Sequence, residues 1–173
     1  VDALATSLAS FGEFLWSIND TEHARPAFVE ALSLREKLNR DPEHIARLAV
    51  LLAECIEPTL RNPTRAVGIA EPATKLHPNH PDLWHALGVS LTAASNFDEA
   101  IKAFSKAQQL RANENCADGF RLAICHSRMG NPQQARSEFE RATVAMDLER
   151  PGDIGLLALR DRVVAVLESQ SGT

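Results

Sequence analysis

Four times along the 173-residue chain, an alanine is followed four positions later by an apolar residue and three positions after that by a second alanine. The copies are Ala24/Phe28/Ala31, Ala66/Ala70/Ala73, Ala100/Phe104/Ala107 and Ala135/Phe139/Ala142, offset by 42, 34 and 35 residues. Spacings of four and three place each triad on one face of a helix. A period of this length points to helical hairpins stacked in an array, each leaving an apolar face that its neighbour must cover. Such an array offers a curved surface to a partner and usually has no catalytic centre of its own.

The third copy is the most complete. Trp84, Leu87, Gly88 and Leu91 precede Ala100, Phe104 and Ala107. They match the W-x2-L-G-x2-Y and A-x3-F halves of the tetratricopeptide (TPR) pattern, with Leu for Tyr. Leu8, Phe11, Gly12 and Leu15 repeat the first half ahead of Ala24. Leu122, Ala123 and His126 are a looser version, and Leu52, Ala53 and Ile56 the most degenerate. The chain therefore resembles the TPR family over nearly its whole length. The resemblance implies an all-α fold, a right-handed α-solenoid of four TPR helical hairpins plus a C-terminal capping helix. In a hairpin of this kind Gly88, Ala100 and Ala107 are small where the helices cross, and Trp84, Leu91 and Phe104 fill the space around the crossing.

Punctuation sets the boundaries. Asp41-Pro42, Asn62-Pro63 and Asn131-Pro132 each put a capping side chain before a proline suited to the first helical position. His80-Pro81 and the Asn96-Phe97-Asp98 turn frame the third repeat. Helices are expected near 2–18, 22–39, 42–56, 63–76, 81–94, 97–110, 116–129, 132–147 and 153–168. They make a single TPR domain over 1–173, with repeats at about 2–39, 42–76, 81–110 and 116–147 and a cap at 153–168. Pro72 lies well inside the fourth helix, where the missing N–H and ring clash cost roughly 3 kcal/mol. Gly68 weakens the same helix by about 1 kcal/mol, so a bent or shortened helix is expected there. The last helix should cover the exposed end of the fourth hairpin, with Arg160, Asp161 and Arg162 facing water. No comparable polar cap precedes Leu4 and Leu8, so upstream sequence or a homodimer through the N-terminal end is expected.

Composition narrows the function classes. The net charge is −5, and no dense Lys/Arg run is present. Nucleic acid is therefore a disfavoured partner, and so is an anionic membrane surface. The sequence has no apolar run of the roughly 18 residues that a spanning helix needs. It opens on Val1 without a signal segment, which reads as a piece cut from a longer polypeptide. Cys55, Cys116 and Cys125 are odd in number and lack a C-x2-C spacing, so they read as small core residues in a reducing, cytoplasmic setting. His77, His80 and His85 with Asp82 are the densest ligand-type cluster. His77 and His80 straddle a proline turn rather than sharing one helix face, so solvation is favoured over metal. Asn19-Asp20-Thr21 matches a glycosylation acceptor but reads as an ordinary turn. No nucleophile with a base partner is recognisable, so neither enzymatic activity nor a cofactor is expected of this segment.

A closer resemblance lies in the second repeat. Residues 51–71, from Leu51 through Cys55, Pro58, Leu60, Arg61, Pro63, Arg65 and Ala66 to Ala70, resemble a motif of roughly L-L-A-T-C-x-D-P-x-L-R-D-P-x-R-A-x-x-L-A. That motif is common in TPR segments of large planctomycete proteins, often C-terminal to a serine/threonine protein kinase domain. Residues 83–91 and 118–124 are similar to that family's next two repeats. The resemblance implies the TPR region of a bacterial kinase-like protein. The chain itself holds no glycine-rich phosphate loop, no H-R-D and no D-F-G.

In TPR arrays the first helix of each hairpin lines a concave groove, and the resemblance implies a groove stripe here. In the third repeat it is Asp82, His85, Val89, Thr92 and Ala93. The register carries over to Glu13 and Trp16 in the first repeat, and to Val50, Glu54 and Glu57 in the second. The fourth supplies Phe120, Ile124, Ser127 and Arg128. Trp16 and Phe120 are either exposed anchors for a peptide or packed against their own hairpins. Glu13, Glu54 and Glu57 stand where TPR clamps for acidic tails need Lys, Arg and Asn. The groove is accordingly expected to prefer a basic or apolar segment of a protein or peptide partner. The alternative is a structural spacer or self-association module without a groove ligand.

Overall fold

The computed structural model describes residues 1–38, 41–111 and 115–170, and among these every regular element is an α-helix. The helices are α1 (Asp2–Ser17), α2 (Thr21–Lys37), α3 (Pro42–Glu54), α4 (Pro63–Leu76) and α5 (Pro81–Ala93), then α6 (Phe97–Leu110), α7 (Cys116–Arg128), α8 (Pro132–Glu149) and α9 (Ile154–Gln170). Each corresponds to one expected from punctuation and period. The expected end of the second helix, at 39, lies outside the described residues. The chain divides into two compact units, Val1–Ala94 and Ser95–Thr173. Thus α5 and α6, expected as one hairpin, belong to different units.

In the first unit α1 packs on α2, α2 on α3, and α3, α4 and α5 pack on one another. In the second, α7 packs on α6, α8 and α9, and α8 also meets α9. All eight alanines that open and close the four triads are buried. Phe28 and Phe104 are buried with them, and Phe139 is half-buried against the core of the second unit. Burying one such large apolar side chain contributes roughly 1.5–3 kcal/mol, so the motif that announces the fold also carries much of its cohesion.

Tight turns close two of the hairpins in the same way. After α1, Asn19 takes a left-handed φ of 65°, its N–H donates to the Trp16 carbonyl (3.0 Å), and the Asp20 N–H donates to Leu15 (2.9 Å). After α7, Gly130 at φ 75° and Asn131 make the matching bonds to Ser127 (3.1 Å) and His126 (2.9 Å). This double bond pattern satisfies carbonyls that a helix end leaves open. Asn19 of the Asn19-Asp20-Thr21 tripeptide is thus the residue that turns the chain back, since asparagine tolerates positive φ better than most side chains. Asp20 then caps α2 by accepting from the His23 N–H.

The structure corrects one expectation and narrows another. Of the three Asx-Pro caps, only Asn62 accepts a bond from its helix, at the Arg65 N–H (2.9 Å). Asp41 instead faces His44 at 3.5 Å, and Asn131 makes no side-chain cap bond. The fourth helix is not shortened: α4 runs from Pro63 to Leu76 through Pro72. Pro72 and Gly68 both lie on the exposed side, while Ala66, Ala70 and Ala73 face inward. The carbonyl of Gly68, which loses its donor at Pro72, is therefore on the side where water can replace the bond. Pro26 inside α2 is exposed in the same way.

The glycines separate into tight and open sites. A Cβ on Gly119 would lie 2.8 Å from Cβ of Ala142, the closing alanine of the fourth triad. A Cβ on Gly68 would meet nothing within 4 Å. Gly119→Ala should lower unfolding stability by about 1–3 kcal/mol through overpacking. Gly68→Ala should raise it by about 0.5–1 kcal/mol by restricting the unfolded chain. Urea denaturation of the two variants beside the parent measures both, and the signs should be opposite.

Candidate functional site

The first unit contains a cleft of about 350 Å³ whose floor is α3. Ala46, Val50 and Leu51 form its apolar part, with Cys55 at the end of the helix. Glu43, Arg47 and Glu54 continue the same side of α3 at helical spacing of three and four residues. Glu13 reaches the cleft from α1, Arg35 from α2, and Asp82 with His85 from α5. Five stripe residues expected from register, Glu13, Val50, Glu54, Asp82 and His85, therefore meet in one concavity.

Its flank is held by a charge network that connects three helices. Arg35 is buried and donates to Asp2 Oδ1 (3.2 Å) and Thr6 Oγ1 (3.0 Å) on α1. Arg47 of α3 donates to the other oxygen of Asp2 and lies 3.8 Å from Glu43. Partial burial raises the Asp2 carboxyl, but the Arg47 bond and the charges of Arg47, Arg35 and His44 outweigh it and hold the group below its ordinary range. Glu13 behaves in the opposite sense. Burial, and then the neighbouring Glu54 carboxylate, push it above the usual range for a glutamate. Burial likewise pushes the Cys55 thiol up, so it is a protonated wall residue and not a reactive thiolate.

The remaining stripe residues lie elsewhere. Trp16 is half-buried on a cluster of Leu15, Ala24, Phe28 and Cys55, so it packs on its own hairpin and on the end of α3. Val89 is buried, and Thr92 bonds back to the Gly88 carbonyl (2.8 Å) within α5. Glu57 is 6% exposed and sits in the turn after α3. Its carboxylate accepts from the Thr59 N–H (3.2 Å) and hydroxyl, which lower its pKa, and its carbonyl accepts from the Leu60 N–H (3.1 Å). It shapes a turn and does not face the cleft, because α3 ends at Glu54 and the helical register stops there.

The fourth repeat is corrected most. Phe120 is fully buried and Ile124 nearly so, in one cluster with Leu156, Leu159 and Val163 of α9. The Phe120 ring lies 5.9 Å from that of Phe139, tilted by 49°. Ser127 is buried, and only Arg128 of this stripe is exposed. The last helix thus covers the very face that register assigns to a groove. His77 and His80 flank the Pro78-Asn79 turn, while His85 and Asp82 face the cleft. The three cysteines are buried and unbridged. Among the described residues no helix is long and apolar enough to cross a membrane.

Sequence register missed Arg35, Glu43 and Arg47. Glu43 and Arg47 were within reach, since they extend the Val50/Glu54 stripe toward the start of α3. Arg35 had no sequence signal, because its partners Asp2 and Thr6 lie 33 and 29 residues away.

The Asp2 network makes stability depend on acid. The folded-state pKa of Asp2 is depressed, so its contribution is full above the unfolded value, about 4, and is lost as pH falls through the folded value. Thermal melts between pH 6 and 2.5 should show Asp2→Asn removing part of the acid-induced loss. The difference at neutral pH should be about 1 kcal/mol or less, given how exposed Arg47 is.

Comparison with known proteins agrees with this architecture. Residues 59–115 match the family model of the tetratricopeptide repeat. No curated protein sequence matches the chain. Among solved structures, a double mutant of MamA from strain RS-1 is 16% identical, with 98% of this chain and 97% of that chain covered, at a TM-score of 0.56. MamA from strain AMB-1 is 19% identical, with coverage of 83% and 79% and a TM-score of 0.53. MamA from Desulfovibrio magneticus RS-1 is 21% identical, with coverage of 86% and 77% and a TM-score of 0.50. At these identities the likeness concerns the fold. Residues 59–115 thus resemble the tetratricopeptide repeat, and the likeness to the solved structures is one of an all-α helical fold.

Proposed function

We propose that this chain is a protein–protein interaction scaffold that takes a segment of its partner in the cleft over α3. The observation that carries the reading is the convergence of Glu13, Val50, Glu54, Asp82 and His85 from three helices on one concave, partly apolar surface. Such a surface combines area for burial with a few polar groups that orient a ligand. The scaffold reading is that of TPR folds generally. The resemblance of residues 51–71 to kinase-associated repeats supports a finer proposal, a cytoplasmic recruiting segment of a serine/threonine protein kinase-like protein. Determining the full gene product tests that context, and an upstream kinase domain is the expected finding.

A photo-crosslinking residue at Val50 should capture a partner protein in cells, whereas the same residue at Gln133, on the exposed side of α8, should not. Val50→Arg should abolish the interaction. Equal capture from both positions, or unchanged binding by Val50→Arg, would refute the assignment.

One observation favours a second reading. Leu4, Phe11, Phe14 and Ile18 of α1 and its end are each more than half exposed. An apolar stripe of this kind suits self-association. Sedimentation equilibrium at micromolar concentration tests it: a dimer that Phe11→Glu converts to monomer supports this reading, and a monomeric parent chain removes it.

A further inference from the structure

We propose that the cleft selects a lysine or arginine side chain of the partner, with the cationic head beside Glu13 and Glu54 and the aliphatic stem on Val50 and Leu51. This deepens the groove reading above and rests on it. The first support is charge. Glu13, Glu43, Glu54 and Asp82 line the cleft against two guanidiniums, Arg35 and Arg47. Both guanidiniums are engaged by Asp2 on the flank, and carboxylates outnumber guanidiniums in the lining, which favours an incoming cation over an anion.

The second support is the pairing of that charge with an apolar floor. Val50 and Leu51 are half-buried on the same helix that presents Glu54. Lysine and arginine are the side chains that join a hydrocarbon stem to a fixed positive head, and both halves find a matching surface here. Glu13 adds a third point. Its carboxyl is pushed up by partial desolvation and by Glu54 while staying open to solvent, and an entering cation relieves the repulsion between the two. The fourth is Arg35, whose side chain is 7% exposed, lines the same cleft, and has an Nε–H without an acceptor among the described residues. A peptide carbonyl is an acceptor that every extended segment carries. At about 350 Å³ the cleft lies near the lower end of ligand sites, roughly 300–1,000 Å³, which suits one long side chain with a little main chain.

The test uses the 173-residue chain and peptides Ac-Ala-Leu-X-Leu-Ala-NH2 with X as arginine, lysine, norleucine or glutamate, followed by amide NMR. The arginine and lysine peptides should shift amides at 13, 50, 51 and 54 and bind about fivefold or more tightly than the norleucine peptide. The glutamate peptide should bind least. Glu13→Gln with Glu54→Gln, each also tested singly, should bring the arginine peptide to the norleucine level while the spectrum stays dispersed. Equal binding of arginine and norleucine peptides by the parent chain, with shifts still centred on Val50, overturns the cation selection and leaves the groove standing. So does an arginine preference that survives in the folded double variant. Absence of any shift on α1, α3 and α5 overturns both.

Discussion

Two hairpins of this chain close on a glycine, where one helix presents no side chain at all. An added Cβ on Gly12 would lie 2.8 Å from the Phe28 ring of the next helix, and one on Gly119 equally close to Ala142. Both partners belong to the alanine triads, and both triads are closed by tight turns with a left-handed residue. Close packing of this kind leaves no room for adjustment, because protein interiors are as dense as organic crystals. The hairpin geometry then determines which side of α1, α3 and α5 remains outside the core, and hence where a cleft can form.

The second hairpin departs from this scheme in a coherent way. Its turn runs from Cys55 to Asn62 and is closed by the Asn62 N–H donating to the Leu52 carbonyl (2.7 Å), with Glu57 inside it as an acceptor. The longer turn replaces the left-handed residue found after α1 and α7. The irregular period of 42 residues and the interior proline of α4 belong to the same part of the chain. That part also supplies the cleft floor. Regular packing on either side and a modified turn beneath it leave α3 with one face, Glu43 to Glu54, that no helix of its unit covers completely.

Electrostatics differs between the flank of the cleft and its floor. Asp2 engages two arginines from two other helices, one of them buried. Asp2 is itself partly exposed and Arg35 also donates to Thr6, so loss of the carboxylate leaves the buried guanidinium one partner. Glu13 and Glu54 have no such structural duty in the Asp2 network. Their carboxylates stand close enough that Glu54 adds to the upward push on Glu13.

Local pattern alone determined the helices, their order and the inward face of the alanine-triad helices, because a period of 3.6 residues and a capping residue act within a few positions of one another. The family resemblance placed Glu13, Val50, Glu54, Asp82 and His85 on a common stripe, with the register carried from repeat to repeat. Burial is different, because it depends on which element arrives from a distance. Phe120 and Ile124 share the stripe's register yet lie under α9, a helix outside the repeat whose sequence does not state which face it will cover. Glu57 left the stripe when α3 ended three residues before it. Arg35 became a cleft wall through partners on α1. Only tertiary packing decided these positions, because apolar surface is covered by whatever complementary face the chain brings to it, near or far in sequence.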